Sequence, residues 1–193
     1  MRSQRDKTLD LSDRFGGVQD GEFAPGGISL SRLADAYGTP MYLYHGEMIV
    51  DRLRRVRAAL GEDVEILYSV KANPSLAVAQ ILANERAGAE VASAGELVLA
   101  DAAGFSPSDI VFAGPGKTGE ELDRAAKLGI FAVNVESLPE IDRLATIAGQ
   151  NGRKVGVGLR INPAQQLLGS QMRMGGLVSQ FGLDQADLEE AVR

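Results

Sequence analysis

Five short apolar runs recur at nearly constant spacing from residue 65 onward, and this repeat constrains the fold more than any other feature. The runs are rich in Val, Ile or Phe and occupy residues 65–70, 89–93, 109–114, 131–137 and 154–162. The interval from one C-terminal end to the next is 22, 21, 22 and 24 residues, counted between Lys71, Ser93, Gly114, Glu136 and Arg160. Runs of this length and composition predict β-strands.

Helical patterns separate these predicted strands. Apolar residues fall at i, i+3 and i+4 spacing, and each pattern ends on glycine, in residues 76–88, 96–104, 120–129 and 140–149. Three of the strand-to-helix turns also match the capping box, in which a hydroxyl and a carboxylate satisfy free backbone donors. The matching segments are 93–96, 118–121 and 137–140. Three such matches, each following a predicted strand, indicate a β-α repeat.

Alternating strands and helices imply a parallel sheet, either doubly wound or closed into a barrel. The equal spacing, with no long crossover, favours an α/β fold of the (β/α)8 TIM-barrel type. A whole barrel takes roughly 250 residues, so about five βα units in 193 residues predict an incomplete barrel. We expect residues 1–37 to be an irregular lead-in and residues 38–193 to be the N-terminal part of the barrel. Within the latter, residues 38–46 read as an additional strand and 48–60 as a helix.

Charge and residue content exclude several functions. The net charge of −6 disfavours binding to nucleic acid or to an anionic membrane surface. The absence of cysteine excludes disulfides, thiolate metal sites and a cysteine nucleophile within this chain. The single histidine, His45, leaves a histidine-rich metal site without ligands, so we expect no metal. No apolar run reaches the length of a membrane span, and the charged N-terminus lacks a signal-peptide core, so a cytoplasmic location is expected.

Charged side chains occur at the predicted C-terminal ends of the strands, where barrels carry their chemistry. Lys71, Glu90, Glu136 and Arg160 lie at or near these ends, and small residues share their strand faces. The four groups can equally form a structural salt-bridge network. Lys71 favours chemistry, because a partly desolvated amine on a rigid strand tip is suited to Schiff-base formation.

Five ordered motifs resemble the fold-type III pyridoxal-phosphate-dependent decarboxylases, the group that includes ornithine, diaminopimelate and arginine decarboxylases. The motifs are YSVKANP (68–74), GAEVASAGEL (88–97), FAGPGKT (112–118), NVES (134–137) and LRINP (159–163). The resemblance implies a barrel of the alanine-racemase type, followed in the family by a C-terminal β-domain that is absent from these 193 residues. It also implies pyridoxal 5'-phosphate as cofactor and a homodimer when the protein is full length.

The same resemblance implies roles for individual residues. Lys71 would form the Schiff base with pyridoxal phosphate. Glu90 would lie beside the cofactor ring, although many members have aspartate there. Arg160 would lie near the phenolic edge of the ring or brace the acidic groups around it, with Glu136 as its supporting partner. Ser93 is a further candidate for contact with the substrate or for support of these groups.

The segment 169–184 resembles a subgroup that includes decarboxylases of carrier-protein-bound amino acids and exosortase-associated relatives. Arg173 would meet a substrate carboxylate, or would be a surface charge. Gln180 stands where diaminopimelate decarboxylases more often have lysine, which weakens diaminopimelate as the substrate. The expected function is α-decarboxylation of a diaminopimelate-like or carrier-linked amino acid, with this stretch alone inactive. The alternatives are a pyridoxal-phosphate-dependent racemase and a non-catalytic or regulatory homologue that binds the cofactor.

Overall fold

The computed structural model describes residues 10, 12–162 and 181–193, which divide into two compact units between Val64 and Glu65. The first unit contains an antiparallel pair of two-residue strands and a 3-10 turn, followed by two helices. These elements are β1 (Val18–Gln19), β2 (Glu22–Phe23), the turn Pro25–Gly27, α1 (Leu30–Tyr37) and α2 (Gly46–Leu60). Helix α1 lies within residues 1–37, for which the sequence predicted irregular structure.

The additional strand predicted over residues 38–46 is wrong. Residues 41–45 form no strand, and helix α2 begins at Gly46. His45 precedes this helix as its N-cap, and its Nδ1 accepts a hydrogen bond from the Met48 N–H at 3.4 Å. The local sequence suits a strand, but a strand also requires a neighbour to satisfy its backbone groups, and the described residues supply none.

The second unit is built on a five-stranded parallel sheet. Its strands follow one another in sequence order and are β3 (Leu67–Ser69), β4 (Gly88–Val91), β5 (Ile110–Phe112), β6 (Ala132–Val135) and β7 (Val157–Leu159). This confirms the predicted α/β class with a parallel sheet. The sequential order differs from that of doubly wound sheets, which reverse strand order at a switch point.

Helices connect these strands. They are α3 (Leu76–Asn84), α4 (Ala94–Ala103), α5 (Gly119–Leu128) and α6 (Leu138–Gln150). Beyond β7, the pair β8 (Ile161–Asn162) and β9 (Leu183–Asp184) is parallel, and α7 (Leu188–Val192) follows. Among the described residues, no helix has both the length and the apolar character needed to cross a membrane.

The two faces of the sheet differ in burial. One face is fully buried at Ala89, Val91, Ile110, Phe112, Val133 and Val135. Helices contribute Leu97, Leu122 and Leu144 to the same core. Most residues that alternate with the buried set stay partly exposed, at Ser69, Glu90, Val111, Asn134 and Gly158, although Gly88 and Ala132 are buried. Of the predicted functional side chains, Glu90 lies on this less buried face, while Lys71, Glu136 and Arg160 follow the C-terminal ends of their strands.

Glycine ends only some of the predicted helices. Gly104 and Gly129 adopt the left-handed conformation just after α4 and α5, as predicted. Gly149 instead lies inside α6, and Gly88 is the first residue of β4. A Cβ at position 88 would come within 2.5 Å of the Asp109 carbonyl oxygen, so this glycine serves close strand packing.

Candidate functional site

Lys71 and Glu90 form an ion pair at the C-terminal ends of the first two sheet strands. Lys71 lies in the 3-10 turn Val70–Ala72 directly after β3, and Ser69 is the register partner of Glu90 on β4. The Lys71 Nζ is 3.1 Å from Glu90 Oε1 and 3.4 Å from Oε2. The lysine side chain is 61% exposed and that of the glutamate 25%. The amine is thus less desolvated than the sequence predicted, because Lys71 follows the C-terminal end of β3.

The turn that carries Lys71 is held by its neighbours. Val70 is fully buried, and its carbonyl accepts the N–H of Asn73 at 3.1 Å. The Tyr68 hydroxyl donates to the Asn73 carbonyl at 3.0 Å, and the Asn73 side chain accepts the N–H of Ser75 at 3.1 Å. The backbone at Lys71 is therefore fixed from both sides while its side chain points to an open surface.

Glu136 and Arg160 form a second ion pair beyond β6 and β7. The Glu136 side chain is only 2% exposed, and its Oε1 accepts from the Gly114 N–H at 3.1 Å and from the Arg160 guanidinium at 3.0 Å. Its Oε2 accepts from the Gly182 N–H at 3.0 Å. The Arg160 guanidinium carbon lies 4.9 Å from the centre of the Phe181 ring. Glu136 thereby ties three segments to one carboxylate and fixes Arg160.

The four predicted charges thus lie as two pairs rather than as one cluster. Lys71 and Glu90 lie at the ends of β3 and β4, and Glu136 and Arg160 follow β6 and β7. Strand β5 separates the pairs in the sheet. Both pairs lie at the edge formed by the C-terminal ends of parallel strands, which is where ligands bind in barrels and open α/β sheets.

Other candidates have different surroundings. The Ser93 hydroxyl accepts the Glu96 N–H at 3.2 Å, so its side chain caps α4. Arg173 lies outside the described residues. Gly158, one of the small residues on these strand faces, has no free space beside it, because a Cβ there would collide with the Asn134 side-chain oxygen. Gly158 accommodates that side chain on the neighbouring strand rather than opening a pocket.

A buried ion pair that sequence reasoning missed lies behind the second pair. Lys117 and Glu140 have side chains only 2% exposed, with the Lys117 Nζ 2.7 Å from Glu140 Oε1. The same amine donates to the carbonyls of Gly114 and Asn134, each at 2.7 Å. No local signal separates Lys117 from a surface lysine, because Asn134 and Glu140 are 17 and 23 residues away. Glu140 itself was predicted only as part of a capping box.

Comparison with known proteins identifies a family. The family model described as pyridoxal-dependent decarboxylase, pyridoxal binding domain, matches residues 47–193. The L-glutamyl-[BtrI acyl-carrier protein] decarboxylase of Niallia circulans is 36% identical over 167 residues, which is 85% of this chain and 39% of that protein. The diaminopimelate decarboxylase of Aquifex aeolicus is 41% identical over 167 residues, covering 86% of this chain and 40% of that protein.

Solved structures give the same result. A diaminopimelate decarboxylase from M. jannaschii matches 94% of this chain and 45% of its own, with a TM-score of 0.82 and 29% identity. The Helicobacter pylori diaminopimelate decarboxylase complexed with L-lysine matches 83% of this chain and 41% of its own, with a TM-score of 0.75 and 34% identity. The chain thus spans about two fifths of the length of the curated relatives that it matches.

Proposed function

The chain belongs to the pyridoxal-dependent decarboxylase family, and on that basis we propose that it is the cofactor-binding part of an enzyme that removes the α-carboxyl group of an amino acid. The observation that carries the proposal is the accessible Lys71 amine, held beside the Glu90 carboxylate at the C-terminal edge of a parallel sheet. The family match, which includes both residues, supports the same assignment.

The residues of this edge fit pyridoxal phosphate. A primary amine at the C-terminal edge of the sheet is accessible to an aldehyde, and the side chain of Lys71 is exposed there. Beside it, the Ser69 hydroxyl is buried without a hydrogen-bond partner among the described residues, which leaves a polar atom able to bind a ligand. When bound, pyridoxal phosphate supplies an electron sink for the pair of electrons left by departing carbon dioxide.

The protein's own residues position the amine and place charged groups at the C-terminal edge of the sheet. Glu90 binds the Lys71 ammonium through its Oε1 at 3.1 Å and so orients the amine. Arg160 presents a positive charge whose position is set by the buried carboxylate of Glu136. We assign Lys71 as the catalytic and cofactor-binding residue, with Glu90 and Arg160 at the cofactor.

We further propose that the sheet is part of an alanine-racemase-type (β/α)8 barrel, formed within residues 38–193 and continued outside these residues. Right-handed crossovers between sequentially ordered parallel strands keep all helices on one side of the sheet, as a barrel requires. The buried face and the partly exposed face of this sheet support that arrangement.

The proposed substrate is a small amino acid, either diaminopimelate-like or linked to a carrier protein. Both substrate types occur in the names of proteins that resemble this chain to a similar degree. Carbon dioxide release by the full-length protein from diaminopimelate, from free glutamate and from a carrier-linked glutamyl group distinguishes them. Sedimentation of the same protein tests the homodimer that the resemblance implies.

Borohydride trapping tests the cofactor assignment directly. The full-length protein is loaded with pyridoxal phosphate, reduced and digested, and the labelled peptide is identified by mass spectrometry. We expect the label on Lys71 and its loss in Lys71→Ala. Lys127→Ala is the matched control, because that lysine is 64% exposed and also lies beside a carboxylate, Asp123, at 2.6 Å. Equal labelling of Lys71→Ala and the native protein would refute the assignment.

A further inference from the structure

The buried pair of Lys117 and Glu140, which we term the brace, lies outside the proposed cofactor contacts but is connected to them. We propose that the brace is a positioning device that holds Glu136, and through it Arg160, at the cofactor edge. The inference rests on the proposed function, because Arg160 is assigned there to the cofactor. The inference gives a role to Lys117 and Glu140, neither of which is assigned a contact with the cofactor.

The connection runs through an unbroken series of hydrogen bonds. Glu140 Oε1 accepts from Lys117, and Glu140 Oε2 accepts from the Glu136 N–H at 2.9 Å. The Glu136 carboxylate then accepts from Arg160 at 3.0 Å. Gly114 is held twice, since its carbonyl binds Lys117 and its N–H binds Glu136. The brace therefore fixes Glu136 at its own backbone and at a backbone group that its side chain contacts.

The capping of α6 indicates what Glu140 is used for. The sequence predicts a capping box in which Glu140 returns to the Ser137 N–H, yet Glu140 accepts from Glu136 instead, and the Ser137 hydroxyl caps no backbone N–H. At α5 the corresponding box of Thr118 and Glu121 is complete. Helix α6 therefore lacks a stabilising N-cap interaction, while Glu140 is directed to the residue that binds Arg160.

The presence of charged rather than apolar side chains at positions 117 and 140 also requires an explanation, because both side chains are buried. Burying an ion pair costs desolvation, and apolar residues of similar volume often stabilise a core equally well. Lys117 meets this cost by directing its three donors to Glu140 and to the carbonyls of Gly114 and Asn134. Those contacts join the ends of β5 and β6 to the start of α6. Glu136, which binds the Arg160 guanidinium, lies between β6 and α6, so these contacts make its backbone rigid.

Helix α4 supplies a matched control within the same fold. Glu96 Oε2 accepts the N–H of Ala92 at 2.8 Å, which repeats the local geometry of Glu140 and Glu136 at the equivalent position. Alanine at position 92 carries no side chain that could bind a charged group. Removal of the acceptor at position 96 therefore disturbs the helix start without disturbing the Glu136–Arg160 pair.

The test compares two neutral replacements of the brace in the full-length protein. Lys117→Met with Glu140→Gln keeps an oxygen acceptor for the Glu136 N–H, whereas Lys117→Met with Glu140→Leu removes it. Pyridoxal phosphate is removed with hydroxylamine, and its dissociation constant is then measured by absorbance titration. We expect the glutamine variant to bind about threefold more weakly than the native protein, because Lys117 no longer holds the Gly114 carbonyl, and the leucine variant about tenfold more weakly, while Glu96→Leu stays close to native. Circular dichroism verifies that each variant is folded.

Arg160→Gln completes the experiment. Combined with Arg160→Gln, the leucine replacements should cause no loss beyond that of Arg160→Gln alone, because the brace acts through Arg160. Equal binding by the two brace variants, or losses that multiply with that of Arg160→Gln, would overturn the proposal. So would failure of both brace variants to fold, since the pair would then be a requirement of the fold itself. Labelling of Lys71 is scored separately, so the proposed function can stand if the brace fails.

Discussion

Replacing Lys117 alone by methionine should destabilise the second unit strongly. The methionine keeps most of the side-chain volume but leaves the Glu140 carboxylate, only 2% exposed, without its counter-charge. It also removes the donor from the carbonyls of Gly114 and Asn134. Breaking one partner of a buried pair costs about 3–5 kcal/mol. Such a loss is a large fraction of the roughly 5–15 kcal/mol that stabilises a typical domain.

Hydrogen exchange of the full-length protein measures this loss locally. A cost of about 3–5 kcal/mol corresponds to between about a hundredfold and several thousandfold faster exchange through opening. The increase should appear in peptides that span residues 132–150, which contain β6 and α6. Lys127→Met is the matched control, because its amine lies 2.6 Å from Asp123 but the pair is exposed and screened by solvent.

Two results would refute this reasoning. One is a Lys117→Met variant whose exchange in residues 132–150 rises no more than that of Lys127→Met, which would mean that solvent reaches Glu140. The other is a double variant, Lys117→Met with Glu140→Leu, that exchanges as fast as the single variant. The double variant should recover most of the protection, since it contains no unpaired buried charge.

Three further outcomes follow from the described contacts. Thr118→Ala should lower the free energy of unfolding by about 1 kcal/mol in denaturant melts, because its hydroxyl caps α5 at the Glu121 N–H. Burial disfavours the charge on Glu121, yet hydrogen bonds from the Thr118 and Ala94 N–H groups hold its pKa below the ordinary 4.5. The resulting stability is complete above about pH 4.5 and is lost as the pH falls through the folded pKa, so Glu121→Gln should lower the melting temperature at neutral pH and less in acid. Gly158→Ala should lower the melting temperature by forcing a methyl group onto Asn134 Oδ1, and adding Asn134→Gly should restore it.

The fold could be predicted where its determinants are local. Apolar runs bounded by turn residues gave the five sheet strands to within about three residues at each end, as with β4 at Gly88–Val91 against a predicted 89–93. Residues 38–46 have equally strand-like composition, but residues 41–45 form no strand because pairing is a non-local requirement. Gly88 was misassigned for a related reason, since its role is set by the distant Asp109 carbonyl.

The site was predictable to the extent that strand order determines neighbours. Lys71 and Glu90 end adjacent strands, as do Glu136 and Arg160, so their pairing follows from the order of the charges along the chain. The burial of Lys117 does not follow in this way. It depends on where the chain after β5 approaches β6 and α6, and neither spacing nor residue type in the segment 112–118 encodes that approach.

The two ion pairs differ in how firmly they are held, and the difference suits the proposed chemistry. The Lys71 amine, on a fixed backbone turn but with a 61% exposed side chain, can leave Glu90 at the small cost of an exposed pair. The buried Glu136 carboxylate accepts hydrogen bonds from Gly114, Arg160 and Gly182. Its displacement would leave these three donors without their hydrogen-bond partner. A side chain that exchanges partners during a reaction must be able to move, whereas a side chain that holds a charge in one position must be held by several contacts at once. The Lys71 amine is a group of the first kind and the Arg160 guanidinium is held by a group of the second kind. This is why the buried brace lies behind Arg160 and not behind Lys71.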